Sequence, residues 1–247
     1  MRPINDHERL PITANSLRNE ALDKLRRWIL TGRIQPGERI VETEVARLFG
    51  TSQAPVREAL GRLEEDGLVC RVPYRGTRAT EIIPKEIYHT FRLRAQIECN
   101  GLEVTVPAMT EEQTAQLAAI VDRMQDAMIR FKEDYFYQAQ LDMEFHALLL
   151  EWAEVDVYRR AWHSLKFPIQ RFLNLVHPSF FAHDRRAVIG QHWDLVSIFQ
   201  THDFVRAQEA MREHIMLIWD QLGPELLVYD RLDPKMVRSV DLNQNPV

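Results

Sequence analysis

Apolar positions begin to recur at helical spacing near Ser16. Leu17, Ala21, Leu25, Trp28 and Ile29 predict a first helix that ends at Thr31-Gly32, where glycine suits the left-handed position after a helix. Pro36-Gly37 predicts a turn. Val45, Ala46, Leu48 and Phe49 mark a short second helix closed by Gly50. Thr51-Ser52 offers an N-cap for a third helix, and Pro55 falls in its first turn, where proline is tolerated. That helix carries Val56, Ala59, Leu60 and Leu63 on one face and stops at Asp66-Gly67. Residues 68–71 and 77–80 read as two short strands around a tip at 73–76. Helix, helix, tight turn, helix, hairpin is the order of a winged helix-turn-helix. A small helical domain with a hairpin and no DNA role has the same order.

From Pro84 onward the period changes and stays helical. Helices are predicted at about 84–106, broken near Gly101, then 110–131, 134–151, 154–176, 182–200 and 202–221. Leu117, Ile120, Val121, Met124, Met128 and Phe131 form one stripe of the second. Pro107, Pro168, Pro178 and His202-Asp203 mark breaks or kinks. Short connections between long helices predict an antiparallel bundle. The expected fold is therefore mainly α: a winged helix-turn-helix at 16–80 and an all-α antiparallel helical bundle at 84–222. Residues 1–15 read as a flexible tail and 223–247 as a C-terminal tail.

Composition narrows the class. Net charge is −5, but residues 1–80 hold 14 Lys+Arg against 11 Asp+Glu, while 81–247 hold 17 against 25. A basic head on an acidic body fits a DNA-binding unit joined to something else. Two cysteines, Cys70 and Cys99, are too few for a disulfide framework and read as buried free thiols in a reducing cytoplasm. No apolar run is long enough to span a bilayer, and the first residues lack the apolar core of a secretory leader.

If the third helix reads DNA, its N-terminal end enters the major groove. Ser52, Gln53, Ala54 and Arg57 then meet bases or phosphates, since glutamine can pair with adenine and arginine with guanine through two bonds each. Arg75 and Gly76 at the wing tip would approach the minor groove or the backbone. Arg33, Arg39 and Arg47 could add phosphate contacts, or be solvated surface charges.

Gly32-Arg-Ile-Gln-Pro-Gly-Glu-Arg-Ile40, Glu44-Val-Ala46, Ser52-Gln-Ala-Pro-Val-Arg-Glu-Ala-Leu60, Arg62-Leu-Glu-Glu-Asp-Gly-Leu-Val69 and Arg75-Gly76, at their fixed spacing, resemble the N-terminal domain of GntR-family regulators. One departure stands out: Gln53-Ala54 replaces the family's usual Arg-Thr. The helical half resembles the FCD ligand-sensing domain of the FadR-like subfamily. Arg94-Ala-Gln-Ile-Glu98 is similar to its first helix, Asp142-Met-Glu-Phe-His146 to its metal-binding pair, and Gln191-His-Trp-Asp-Leu-Val-Ser-Ile198 with Ala207 and His214-Ile215 to its closing helices.

This resemblance implies a metal site at Asp142, His146, His192 and His214. Asp142 and His146, four apart, share one helix face. Three imidazoles and a carboxylate suit zinc, nickel or a similar divalent ion. By spacing alone these histidines could equally be buried hydrogen-bonding groups. The resemblance also puts Arg94 in an effector pocket, where it would clamp a carboxylate. Otherwise Arg94 forms a surface ion pair with Glu98. The implied function is a homodimeric repressor or activator that binds double-stranded operator DNA, is controlled by a small organic acid, and is neither an enzyme nor membrane-bound. Two alternatives remain at this stage: a metal-dependent enzyme using the same four residues, and a metal-free regulator sensing an acyl-type ligand.

Overall fold

The computed structural model describes residues 14–130, 135–175 and 185–231. Phe131, Pro178, His177, His183 and the two terminal segments 1–13 and 232–247 lie outside them.

In the N-terminal part, α1 (Ala14–Leu30) is followed by β1 (Arg39–Ile40), α2 (Glu42–Phe49), α3 (Gln53–Glu65), β2 (Val69–Val72) and β3 (Gly76–Ala79). Leu25 and Ile29 of α1 are buried with Val56, Ala59, Leu60 and Leu63 of α3, as the helical spacing predicts. Gly50 ends α2 at φ 64°, returning its N–H to the carbonyls of Ala46 and Arg47. A residue with a Cβ is strained in that conformation. The hairpin pairs Val69 with Ala79 and Val72 with Gly76, antiparallel. β1 pairs with the outer edge of β3, Arg39 opposite Arg78, so the sheet has three strands in the order β1-β3-β2. Only the hairpin was expected, because two residues are too few to show a period of two. Cys70, on β2, is exposed, contrary to the expectation of two buried thiols. Cys99 is buried.

The second part is α4 (Pro84–Thr105), a 3-10 turn (Val106–Ala108), α5 (Glu111–Arg130), α6 (Tyr135–Trp152), α7 (Asp156–Leu175), α8 (Arg185–Phe199) and α9 (Phe204–Leu226). These helices share one apolar core that runs from Ile82 to Leu226. The expected break at Gly101 is absent. α4 runs straight through it because Gly101 serves packing: a Cβ there would lie 2.5 Å from Leu150 Cδ2 on α6. Close backbone approach and a turn are both reasons for glycine, and sequence does not separate them. α7 likewise continues through Pro168. The break at His202-Asp203 is present, with His202 at φ 58° and Asp203 Oδ1 accepting from the N–H groups of Val205 and Arg206 to cap α9.

α7 bonds the N-terminal part directly. From α7, Arg171 Nη1 donates to the carbonyl (2.7 Å) and hydroxyl (2.9 Å) of Thr80, and Asn174 Nδ2 donates to the carbonyl of Leu30 (3.1 Å). The Arg26 guanidinium lies 4.6 Å over the Phe167 ring. Arg171 is buried with no carboxylate partner among the described residues, and burial pushes its pKa down to about 10.

Candidate functional site

α6 presents Asp142 and His146 one turn apart, α8 supplies His192 and α9 supplies His214. One ligand atom from each lies within 4.8 Å of every other. His146 Nε2 stands 3.3 Å from His214 Nε2, and Asp142 Oδ1 stands 3.3 Å from His192 Nε2 and 3.8 Å from His146 Nε2.

The outer ring nitrogens fix the chemistry. His146 Nδ1 meets Glu98 Oε2 at 2.5 Å, His192 Nδ1 meets the Val188 carbonyl at 2.8 Å, and His214 Nδ1 meets Gln191 Oε1 at 3.1 Å. All three partners are acceptors, so each Nδ1 carries the hydrogen and each Nε2 turns a lone pair inward. Two such lone pairs 3.3 Å apart repel unless a cation lies between them. A tetrahedral ion with bonds of about 2.0–2.1 Å sets its donors about 3.3 Å apart. Asp142 Oδ2 and His192 Nε2 are buried atoms without a hydrogen-bond partner. The donor set, its tautomers and its orphaned atoms fit a divalent ion.

Charges around the cluster agree. Burial depresses the pKa of His214 well below its usual value, with neighbouring His192 and His146 acting the same way. His146 is also lowered, chiefly by burial and Arg94. Burial pushes the carboxyls of Asp142 and Glu98 up. For Asp142 this is outweighed by His146, His192 and Arg94, and for Glu98 by His146 and Arg94, so both stay ionised.

Arg94 is 3% exposed, so it is no surface residue. Its Nε donates to Glu98 Oε1 at 2.8 Å and its Nη2 lies 3.6 Å from Asp142 Oδ2. The Arg94–Glu98 pair exists, but inside the bundle. Arg94 also lines a cavity of about 70 Å³ with Asp142 and His214. A second cavity of about 100 Å³ lies between α5, α6, α7 and α8 and touches Asp142 and His192. Glu98 was missed as a holder of His146, although it stands one turn from Arg94 in the motif that flagged the helix. Gln191 was missed too, although it is the residue before His192.

On the other part, Ser52 occupies the N-cap of α3 without a side-chain cap bond, and Gln53, Ala54 and Arg57 are exposed beside it. Arg57 is 61% exposed and pairs through Nε with Glu42 of α2 at 3.0 Å. Arg75 and Gly76 are exposed at the wing tip beside Tyr74, which is at φ 61°. The helix end and the wing tip are free of the core.

Residues 17–78 match the family described as bacterial regulatory proteins, gntR family, and residues 89–216 match the FCD domain. The HTH-type transcriptional repressor RspR of Escherichia coli K12 is 31% identical over 78% of this chain and 83% of its own. The chain belongs to the GntR family. Within that family, the HTH-type regulator YdhC of Bacillus subtilis is 30% identical over 78% of this chain and 84% of its own. The structure of E. coli McbR/YncC superposes with a TM-score of 0.71 at 19% identity, over 85% of this chain and 98% of that one, and shows the same fold. This GntR protein is thus a DNA-binding transcription regulator with an FCD domain, which acts on operator DNA. Its relatives are regulators, and that removes the metalloenzyme alternative. No helix among the described residues is long and apolar enough to cross a membrane.

Proposed function

We propose that this regulator's hold on its operator is set by a small organic acid bound at a divalent ion, zinc or nickel, in the helical bundle. Residues 84–222 would hold the effector and residues 16–80 the DNA; the expected C-terminal tail at 223–247 starts later, because α9 runs to Leu226, which is buried in the core. The observation that carries the reading is the convergence of three Nε2 lone pairs and the Asp142 carboxylate, each imidazole fixed by an acceptor at Nδ1. The ion would sit on Asp142, His146, His192 and His214, and would supply Lewis acidity toward an effector carboxylate. Arg94 lies close enough to Asp142 to share the same carboxylate.

Ser52, Gln53, Ala54 and Arg57 would meet the major groove, and Arg75 and Gly76 the minor groove or backbone. Arg57 would exchange Glu42 for DNA. α7 supports coupling, because Leu173 borders both cavities while Arg171 and Asn174 of the same helix bond the head. We read the protein as a cytoplasmic homodimer on a two-fold operator, and as a repressor, the role named for RspR.

The test is operator affinity of zinc-loaded protein by mobility shift, with and without a panel of small organic acids. At least one acid should change affinity five- to 150-fold, as coupling of about 1–3 kcal/mol implies, and Asp142→Ala should erase that change. Arg57→Ala should lose preference for the operator over random DNA while the acid response of the bundle persists. Identical affinities with every acid would contradict the control, and an Arg57→Ala protein that still selects the operator would contradict the assigned helix.

A further inference from the structure

Resting on that metal-site reading, we infer that the effector is a short apolar monocarboxylate, about three to six carbons long, rather than a hydroxylated sugar acid or a dicarboxylate. Two independent features lead there. The first is the lining of the cavity beside the four ligands. Met124 and Met128 of α5, Ala139 of α6, Leu173 of α7, and Val188 and Ile189 of α8 make its walls. Asp142 and His192 line it as well. Tyr135, Gln138, Ala139 and Asp142 stand at helical spacing along one face of α6, so the slot runs some seven residues, about 10 Å at 1.5 Å per residue. Tyr135 and Gln138 are its other polar residues. A hydroxyl set against those six apolar walls would leave water without a partner there, whereas a methylene would leave it with gain.

The volume sets the length. An apolar cavity of about 150 Å³ takes one benzene. At about 100 Å³ this slot holds a slightly smaller tail, with the carboxylate outside it at the ion.

The second feature is charge. The charged groups around the cluster are Arg94, Glu98 and Asp142, which sum to −1, and imidazoles that ligate through Nε2 while Nδ1–H bonds an acceptor are neutral. A divalent ion brings the total to +1, which one carboxylate cancels. Among the described residues, no further cationic side chain lines either cavity. A second carboxylate would have to be buried without a counter-charge, which is strongly unfavourable.

The experiment is calorimetric titration of the zinc-loaded full chain with the straight-chain acids from acetate to octanoate, and with gluconate and succinate. Zinc-stripped protein is the control. Affinity should rise about fourfold for each methylene up to pentanoate or hexanoate, as burial of a CH2 implies, and fall again once the slot is full. Gluconate and succinate should bind at least fivefold more weakly than pentanoate. Met128→Gln should weaken pentanoate at least fivefold while leaving acetate within twofold. A flat series, or tighter binding of gluconate or succinate to the zinc-loaded protein alone, would overturn this inference and leave the metal-site reading standing. No binding of any acid, or equal binding with and without zinc, would overturn both.

Discussion

Glu98→Gln isolates what holds the metal ligands in place. Glu98 is fully buried and touches no ion-facing atom itself. Its two oxygens accept from His146 Nδ1 at 2.5 Å and from Arg94 Nε at 2.8 Å. Glutamine keeps the shape but offers one acceptor and one NH2, so one of the two donors must face another donor. Loss of such a supporting partner lowers metal affinity about 10- to 100-fold, or about 1.4–2.8 kcal/mol. The metal-free protein suffers separately, because Arg94 loses its nearest counter-charge inside the bundle. Breaking a buried pair costs about 3–5 kcal/mol. Asp142 Oδ2, 3.6 Å from Arg94 Nη2, still compensates part of that, so the lower end applies. The assay is competition for zinc with a chelating indicator, with thermal unfolding of the stripped protein alongside. Glu144→Gln is the control. Glu144 is also on α6 but pairs with Arg123 at the surface, and its loss should change stability by no more than about 0.5 kcal/mol and leave zinc affinity unchanged. Zinc affinity of Glu98→Gln within twofold of wild type would refute the reasoning.

Three further outcomes follow from the same contacts. In the metal-free protein His146 and His214 resist protonation when folded, whereas in the unfolded chain they protonate near 6.5. The unfolded state therefore binds more protons below that pH. Stability is full above about 6.5 and falls as pH drops through that value, with the lowered carboxyls of Glu98 and Asp142 adding to the loss below about 4.5. Thermal melts from pH 8 to 5 should show it, and a melting point that rises toward pH 5 would contradict it. Gly101→Ala should destabilise the fold by about 1 kcal/mol in urea unfolding, since overpacking against Leu150 costs about 1–3 kcal/mol and the better helix former returns about 1 kcal/mol. A stabilised variant would show that Leu150 moves aside freely. A thiol reagent at pH 8 should titrate Cys70 at once and Cys99 only on unfolding, because burial pushes the Cys99 thiol up to about 11. Two fast thiols would contradict the packing of α4.

Much of this molecule is written as local pattern. The stripe Leu117, Ile120, Val121 and Met124 faces the core of the bundle, and Val56, Ala59, Leu60 and Leu63 face α1. Periodicity reports which face is covered, and here it was enough. The four ligand positions came from resemblance, since an aspartate and a histidine four apart say little alone. The structure brings all four together, with their inner atoms within 4.8 Å. What stayed hidden depends on partners distant in the chain. Glu98 holds His146 from 48 residues away, and Arg171 reaches Thr80 across 91. No helical period encodes either contact. The slot beside the ligands is built from α5, α6, α7 and α8 together, so its apolar character could not be read from any one helix. Gly101 misled for the opposite reason: glycine often ends a helix, and here it lets Leu150 pack close inside one.

The central claim is that three imidazoles and one carboxylate meet on a single ion. X-ray absorption of the zinc-loaded protein, purified without nickel resin, tests it most directly. One zinc per chain should show three imidazole nitrogens and one or more oxygens at about 2.0–2.2 Å, and each of His146→Ala, His192→Ala and His214→Ala should remove one imidazole or the metal itself. Less than about a tenth of an equivalent of bound metal, or a spectrum unchanged by those substitutions, would contradict the account.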